Sequence, residues 1–194
     1  MALEQKDKLL CCSAAAGPAL EGANISKGMR AAPGAIEKVW LDAGNNVCIK
    51  TIDNTPSVGI CGSGLIDIIA LLINNKIIKS NGTFEDSSNL LPCFAQSITG
   101  EKRKRCFVLD KKNDISITQK DIKEFQLAKG AIQTGIELMM AEYGTSIDEI
   151  DRIFLAGAFG NYIDIRNGIK AGILPNVSPE KFITLGNSSG LGAP

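Results

Sequence analysis

Twice in this chain a short apolar segment passes through a glycine turn into a helical run. Gly59-Ile60-Cys61-Gly62-Ser63-Gly64 opens the apolar stretch from Leu65 to Ile73. Arg152-Ile153-Phe154-Leu155-Ala156 ends in Gly157-Ala158-Phe159-Gly160-Asn161 before another short helix. Strand, glycine turn and helix in that order belong to α/β folds. In open α/β sheets such turns are where nucleotides sit, because bare backbone N–H groups at a helix start attract anions and glycine removes the side chain in the way. A glycine turn also exists to solve a purely conformational problem, and the pattern alone leaves both readings open. Neither turn carries the Gly-Lys-Ser/Thr of a P-loop, and neither fits a dinucleotide fingerprint.

A third run of small residues, Ala14-Ala15-Ala16-Gly17-Pro18-Ala19-Leu20-Glu21-Gly22, follows a strand or hairpin arm in residues 1–16. Residues 35–53 predict a hairpin whose arms, Ile36–Leu41 and Val47–Ile52, flank the turn-former Gly44-Asn45-Asn46. Residues 80–105 are polar and end in Lys102-Arg103-Lys104-Arg105; they are expected as a surface excursion, with the basic run solvated. Phe107-Val108-Leu109 is a short strand. Thr118 caps the clearest helix, in which Ile122, Phe125, Ala128, Ile132, Ile136, Met139 and Tyr143 recur at spacings of three and four. Gly144 stops it, Ser146 starts a short helical turn, and Phe182-Ile183-Thr184-Leu185 forms the last strand.

The absence of histidine removes the usual general base near neutral pH. Carboxylates, hydroxyls, backbone amides or a bound ligand must carry any chemistry. Glu21, set between Gly17-Pro18 and Gly22-Ala23, is the carboxylate best placed to face a cleft, and equally suits the first turn of a helix. Asp67, one turn after Gly64, has the same two readings. The six cysteines contain no C-x-x-C pair, which points to free thiols rather than a zinc or iron–sulfur site. Lys plus Arg and Asp plus Glu number 21 each, so nothing favours nucleic acid or an anionic membrane as partner. No apolar run is long enough to span a bilayer, and Met1–Leu10 lacks a signal-peptide pattern, so a cytoplasmic protein is expected.

Five runs resemble signatures of the reductive activators of corrinoid proteins. They are Cys12–Ile25, Met29–Glu37, Gly59–Asp67, Gln126-Leu127-Ala128-Lys129 and Leu155–Asp164. The resemblance implies an α/β fold: one lobe of an actin, Hsp70 and sugar-kinase-like (ASKHA, ribonuclease H-like) ATPase, a mixed sheet flanked by helices. It implies a single domain over 1–194, the C-terminal lobe, cut at both ends. In that family ATP with Mg²⁺ drives reduction of cob(II)amide to cob(I)amide in a methyltransferase corrinoid protein. The electron comes from an iron–sulfur cluster in the parent protein, not in this segment. Implied partners are the corrinoid protein, the remaining lobe and iron–sulfur domain of the parent chain, and a second copy in a homodimer. The expected nucleotide contacts are Gly62, Ser63, Gly64, Gly157, Ala158, Phe159, Gly160 and Asn161. Ser13 and Gly17 are expected near the phosphates, Glu21 carries the catalytic expectation, and no metal ligand is expected in this piece.

Four residues at three places depart from the family pattern. Ala14 replaces a threonine, Leu20 a phenylalanine, and Ser188-Ser189 two alanines. With the family's phosphate hairpins falling upstream of Met1, this piece alone is expected to bind nucleotide weakly and to hydrolyse it poorly. Two alternatives share parts of the pattern. One is an ATP-dependent activator of acyl-CoA dehydratases or reductases, which carries bridging cluster cysteines not seen here. The other is a non-catalytic binding or dimerisation lobe.

Overall fold

The computed structural model describes residues 1–5, 8–101, 104–157, 160 and 162–186. The chain divides into two compact units. Residues 18–126 form the second unit, inserted between the two segments, 1–17 and 127–194, that make the first.

The inserted unit is built on a hairpin and a buried helix. β3 (Ala35–Leu41) and β4 (Val47–Thr51) pair antiparallel, and β5 (Gly59–Ile60) adds in parallel on the other side of β3. The first two strands, β1 and β2, belong to the other unit. The turn closes on Asp42, whose Oδ1 accepts from the N–H groups of Gly44 and Asn46. Helix α1 (Gly62–Asn74) packs on β3, and every residue from Gly62 to Leu72 is buried. A helix buried on every side in this way lives in a core rather than at a surface. Its one carboxylate, Asp67, is 6% exposed and accepts from the Val39 N–H at 3.2 Å. That amide lies just past a register shift in the β3–β4 ladder, so the buried carboxylate meets backbone where the sheet is irregular.

Two aromatic rings in the segment after α1 anchor inward. Phe84 is 4% exposed, and Phe94, on the one-turn helix α2 (Pro92–Ala95), is 2% exposed. β6 (Ile98–Thr99) joins β7 (Cys106–Asp110), which pairs with β8 (Ile115–Thr118). Arg105, the end of the basic run, donates to the Asp86 carboxylate at 3.0 Å and to the Glu85 carbonyl.

Helix α3 (Gln119–Tyr143) begins in the inserted unit and ends in the other. Thr118 caps it reciprocally: the Asp121 N–H donates to Oγ1 at 3.1 Å, and Asp121 Oδ2 accepts from the Thr118 N–H at 2.8 Å. Asp121 is fully buried and also accepts from the Ser26 N–H and hydroxyl, at 2.7 and 2.9 Å. One carboxylate therefore both starts the helix and fastens the glycine-rich loop that precedes β3. At the other end Gly144, at φ +68°, closes a Schellman motif, its N–H on Ala141 and the Thr145 N–H on Met140.

The first unit holds two separate strand pairs. β1 (Ala2–Gln5) and β2 (Lys8–Cys11) form an antiparallel hairpin, tied to the end of α3 by the Tyr143 hydroxyl donating to the Lys8 carbonyl. β9 (Ile153–Ala156) and β10 (Phe182–Gly186) run parallel. Between them lies α4 (Ile165–Ala171), whose N-cap Asp164 accepts from the Asn167 N–H at 2.9 Å.

Candidate nucleotide-binding turns

Gly59 and Gly64 are consumed by packing. A Cβ on Gly59 would lie 2.8 Å from the Lys27 carbonyl oxygen and from the Met29 sulfur. On Gly64 it would collide with the Ile36 carbonyl oxygen, since α1 presses its first turn onto β3. The same oxygen accepts from the Cys61 N–H and thiol, both at 3.2 Å. Ser63 is 6% exposed, with its hydroxyl 3.4 Å from the Cys61 sulfur. Gly62, Ser63 and Gly64 are thus all buried within the inserted unit, where close helix–strand approach accounts for the small residues.

Glu21 ends a 3-10 turn, Ala19–Glu21, that packs beside α1. It is exposed, and its side chain makes no hydrogen bond among the described residues. Gly22, at φ +86°, backs directly onto Met29, so the flanking glycine serves the loop. Glu21 and Gly62–Gly64 share the inserted unit; Ser13, Gly17, Gly157 and Gly160 belong to the other.

In that unit the turn after β9 differs in kind. Gly157 has φ +96°, a conformation closed to most residues, and a Cβ there would meet nothing within 4 Å among the described residues. Its N–H donates to the Gly186 carbonyl at 2.8 Å, which extends the β9–β10 pair into the turn. Gly160 N–H donates back to the Gly157 carbonyl at 3.1 Å, and a Cβ on Gly160 would sit 3.1 Å from the Leu155 carbonyl oxygen. Gly160 is closely approached by Leu155; Gly157, at the end of a parallel strand, faces open space among the described residues. Gly17 is also open, at φ +67° with no neighbour within 4 Å among the described residues, and Ser13 is exposed. Ala158, Phe159 and Asn161, the other expected contacts of this turn, lie outside the described residues.

Among the described residues no three His, Cys, Asp or Glu converge on a point that could hold a metal ion, and all six cysteines are free thiols. No described helix is long and apolar enough to cross a membrane.

All of residues 1–194 match the family described as the C-terminal domain of RACo, the ASKHA domain. The chain belongs to that family. A solved structure of a reductive activator for corrinoid, iron–sulfur protein superposes with a TM-score of 0.85 at 39% identity. The match covers 97% of this chain and 30% of that one. The corrinoid activation enzyme RamQ of Eubacterium limosum is 40% identical over 195 residues, covering 96% of this chain and 33% of RamQ. A Methanosarcina barkeri protein, the reductase of the Co(II) methylated amine-specific corrinoid protein, is 27% identical over 97% of this chain and 35% of its own length. The chain therefore spans about a third of the relatives it matches. Membership in the RACo family fixes the fold as an ASKHA lobe of mixed α/β structure.

Sequence reasoning missed two groups. Ser26 and Asp121 pair across 95 residues, with no local signal. Lys129 and Gln133 of α3 converge on Gly172 at the end of α4; the only hint was that Gln126–Lys129 is one of the family-like runs.

Proposed function

We propose that this chain is the ATP-responsive C-terminal lobe of a reductive activator of corrinoid proteins, and that nucleotide rests on the turn after β9. The observation that carries the reading is Gly157: positive φ, no described residue where a side chain would be, and a parallel strand behind it. Backbone at this turn can come close to a ligand, as nucleotide turns at strand ends require. Gly17, equally open, is the residue of the same unit suited to the phosphate side. ATP with Mg²⁺ supplies the energy; the acidic and phosphate-binding groups that complete catalysis, and the iron–sulfur electron donor, lie outside these residues in the scheme. Glu21, exposed and without a hydrogen-bond partner among the described residues, is the carboxylate free to act at a cleft.

In this scheme ATP binding favours one of two arrangements of the activator, and differential affinity of nucleotide for that arrangement drives the change at the partner's cobalt. The relatives' names, all of which speak of corrinoid proteins, favour this client over an acyl-CoA dehydratase. The test is a titration with MgATP of the chain and of Gly157→Val, which forces a β-branched residue into φ +96°. Saturable binding by the chain, weakened at least about tenfold in the variant, is the expected result. Equal affinity in both sinks the assignment of the turn. A second assay adds the chain to the rest of its activator and follows ATP-dependent conversion of cob(II)amide to cob(I)amide; reduction at the same rate without ATP sinks the wider reading.

A further inference from the structure

The chain holds two Asn-Gly pairs, Asn81-Gly82 and Asn167-Gly168. In such a pair the asparagine side chain can react with the following backbone nitrogen, which glycine leaves unscreened. Asn167-Gly168 lies inside α4, with the Gly168 N–H on the Asp164 carbonyl at 2.8 Å. Asn81 is instead exposed at the tip of a small hairpin. The arms of that hairpin meet at the antiparallel bridge between Ile78 and Phe84, and the Lys79 N–H donates to the Thr83 carbonyl at 2.8 Å. Two features of the tip act in opposite directions. Asn81 Oδ1 accepts from the Thr83 N–H at 3.0 Å and from its hydroxyl at 2.7 Å. Two donors on one amide oxygen draw charge from Cγ and suit an oxyanion forming there. The attacking atom, by contrast, is restrained. Gly82, at φ +81°, gives its N–H to the Lys79 carbonyl at 2.8 Å, and α3 grips the peptide units on both sides of that nitrogen. Gln119 Nε2 donates to the Gly82 carbonyl at 2.8 Å while its Oε1 accepts from the Phe84 N–H at 3.0 Å, as a paired strand would. Gln126 Nε2 donates to the Asn81 carbonyl at 3.3 Å, and its amide fills the space that a Cβ on Gly82 would take. All of these hairpin and α3 residues belong to the inserted unit.

We propose that Asn81-Gly82 is a self-modification site: an asparagine primed to deamidate, held latent by Gln119 and Gln126 and released when the hairpin tip lifts off α3. In the reaction the Gly82 nitrogen, having lost its proton to solvent, attacks Asn81 Cγ. The new C–N bond closes a cyclic succinimide. The Cγ–Nδ2 bond breaks, and ammonia leaves after taking up a proton from solvent. Water then adds to either imide carbonyl, giving aspartate or isoaspartate at position 81. Nothing is oxidised or reduced, and water is the sole co-reactant. Losing the Gly82 proton forfeits the bond to Lys79, and closing the ring turns the peptide away from both glutamines. The folded tip therefore opposes the step that its Thr83 donors favour. Isoaspartate routes the main chain through the former side chain and adds a carbon to the turn. The tip then no longer fits between Gln119 and Gln126, so an opening that leads to reaction leaves a permanent mark.

The experiment incubates the 194-residue chain at neutral pH and follows acid formation at Asn81 and Asn167 by mass spectrometry of proteolytic peptides, with isoaspartate resolved by chromatography. The same chain unfolded in guanidinium chloride gives the ungated rate. The folded rate at Asn81 is expected at least about tenfold below it, since several hydrogen bonds must open first. Gln119→Leu loses two of those bonds and should react about five- to a hundredfold faster than the unsubstituted chain, with the unfolded rate as ceiling. Gln126→Leu loses one and should react about two- to tenfold faster. Trp40 fluorescence checks that the inserted unit of each variant is folded at the start, and Asn167, in the other unit, should keep its rate. If Gln119→Leu does not fold, Gln126→Leu and the comparison of folded with unfolded chain decide the question. Equal folded and unfolded rates overturn the proposal, as does a folded rate above the unfolded one. So do folded variants that deamidate no faster than the unsubstituted chain. Equal acceleration at Asn81 and Asn167 also overturns it, because that is general loosening rather than release of one tip. An unfolded chain in which Asn81 keeps its amide removes the reactive pair itself and overturns the proposal outright.

Discussion

Asp121→Asn tests whether one buried carboxylate holds the inserted unit together. Asp121 is 0% exposed, and its two oxygens accept four hydrogen bonds: the N–H and hydroxyl of Ser26 on Oδ1, the N–H and hydroxyl of Thr118 on Oδ2. Asparagine keeps the shape but replaces one oxygen with a donor. Either hydroxyl can rotate to accept; neither backbone N–H can. Whichever way the amide is turned, one buried N–H loses its acceptor and faces another donor. An unsatisfied buried donor costs about 1–3 kcal/mol, and exchanging a charged for a neutral acceptor on the remaining bonds adds about 1 kcal/mol. The expected loss is therefore about 2–4 kcal/mol, or ~4–16 °C at the 2–4 °C per kcal/mol typical of this chain length. Trp40, the chain's single tryptophan, lies on β3, so its fluorescence in a urea titration reports this unit alone. A midpoint shift equivalent to less than about 0.5 kcal/mol, with an unchanged slope, would refute the reasoning.

Other substitutions probe the same unit and use the same readout. Phe94→Ala should cost about 3–5 kcal/mol if this 2%-exposed ring is core; a cost near zero would return residues 80–105 to the surface. Gly64→Ala gains helix propensity of about 1 kcal/mol, but its methyl collides with the Ile36 carbonyl; net destabilisation of about 2 kcal/mol is expected, and net stabilisation would contradict the packing. The Asp110 carboxyl is held below the usual carboxylate range, first by the Ser57 hydroxyl at 2.6 Å and then by Asn113. A depressed folded pKa gives stability that is present above the unfolded value of 3.8 and is lost as pH falls through the folded one. Ser57→Ala should move acid unfolding to higher pH, and a transition unmoved between pH 2 and 5 would count against that bond.

What the sequence disclosed was whatever repeats within a few residues. The Ile122–Met139 spacing defined α3, Gly44–Asn46 defined the β3–β4 turn, and the unbroken apolar run after Gly64 defined α1. β8 escaped because Ile115–Thr118 is only four residues long and ends on the cap of α3. Phe94 escaped because a single helical turn has no periodicity to detect. Asp121 escaped as an acceptor because Ser26, which it binds, is 95 residues away. For the candidate site the limit was different. A glycine that admits a carbonyl from a neighbouring strand and a glycine that admits a ligand leave the same trace in sequence. Gly64 and Gly157 could be told apart only by what stands beside them: the Ile36 carbonyl in one case, nothing within 4 Å among the described residues in the other.

The insertion of residues 18–126 into the first unit has a consequence for synthesis. The β1–β2 hairpin is made early, yet Tyr143, which bonds to its Lys8 carbonyl, is translated only after the whole inserted unit. At about 5–20 residues per second the hairpin waits for several seconds or more with its stabilising helix unmade. A lone two-stranded hairpin is marginal in water. The inserted unit, continuous in sequence but for the rest of α3, meets no such delay. On the ribosome it is the middle of this chain that folds first, and the outer segments close afterwards on a long-range contact.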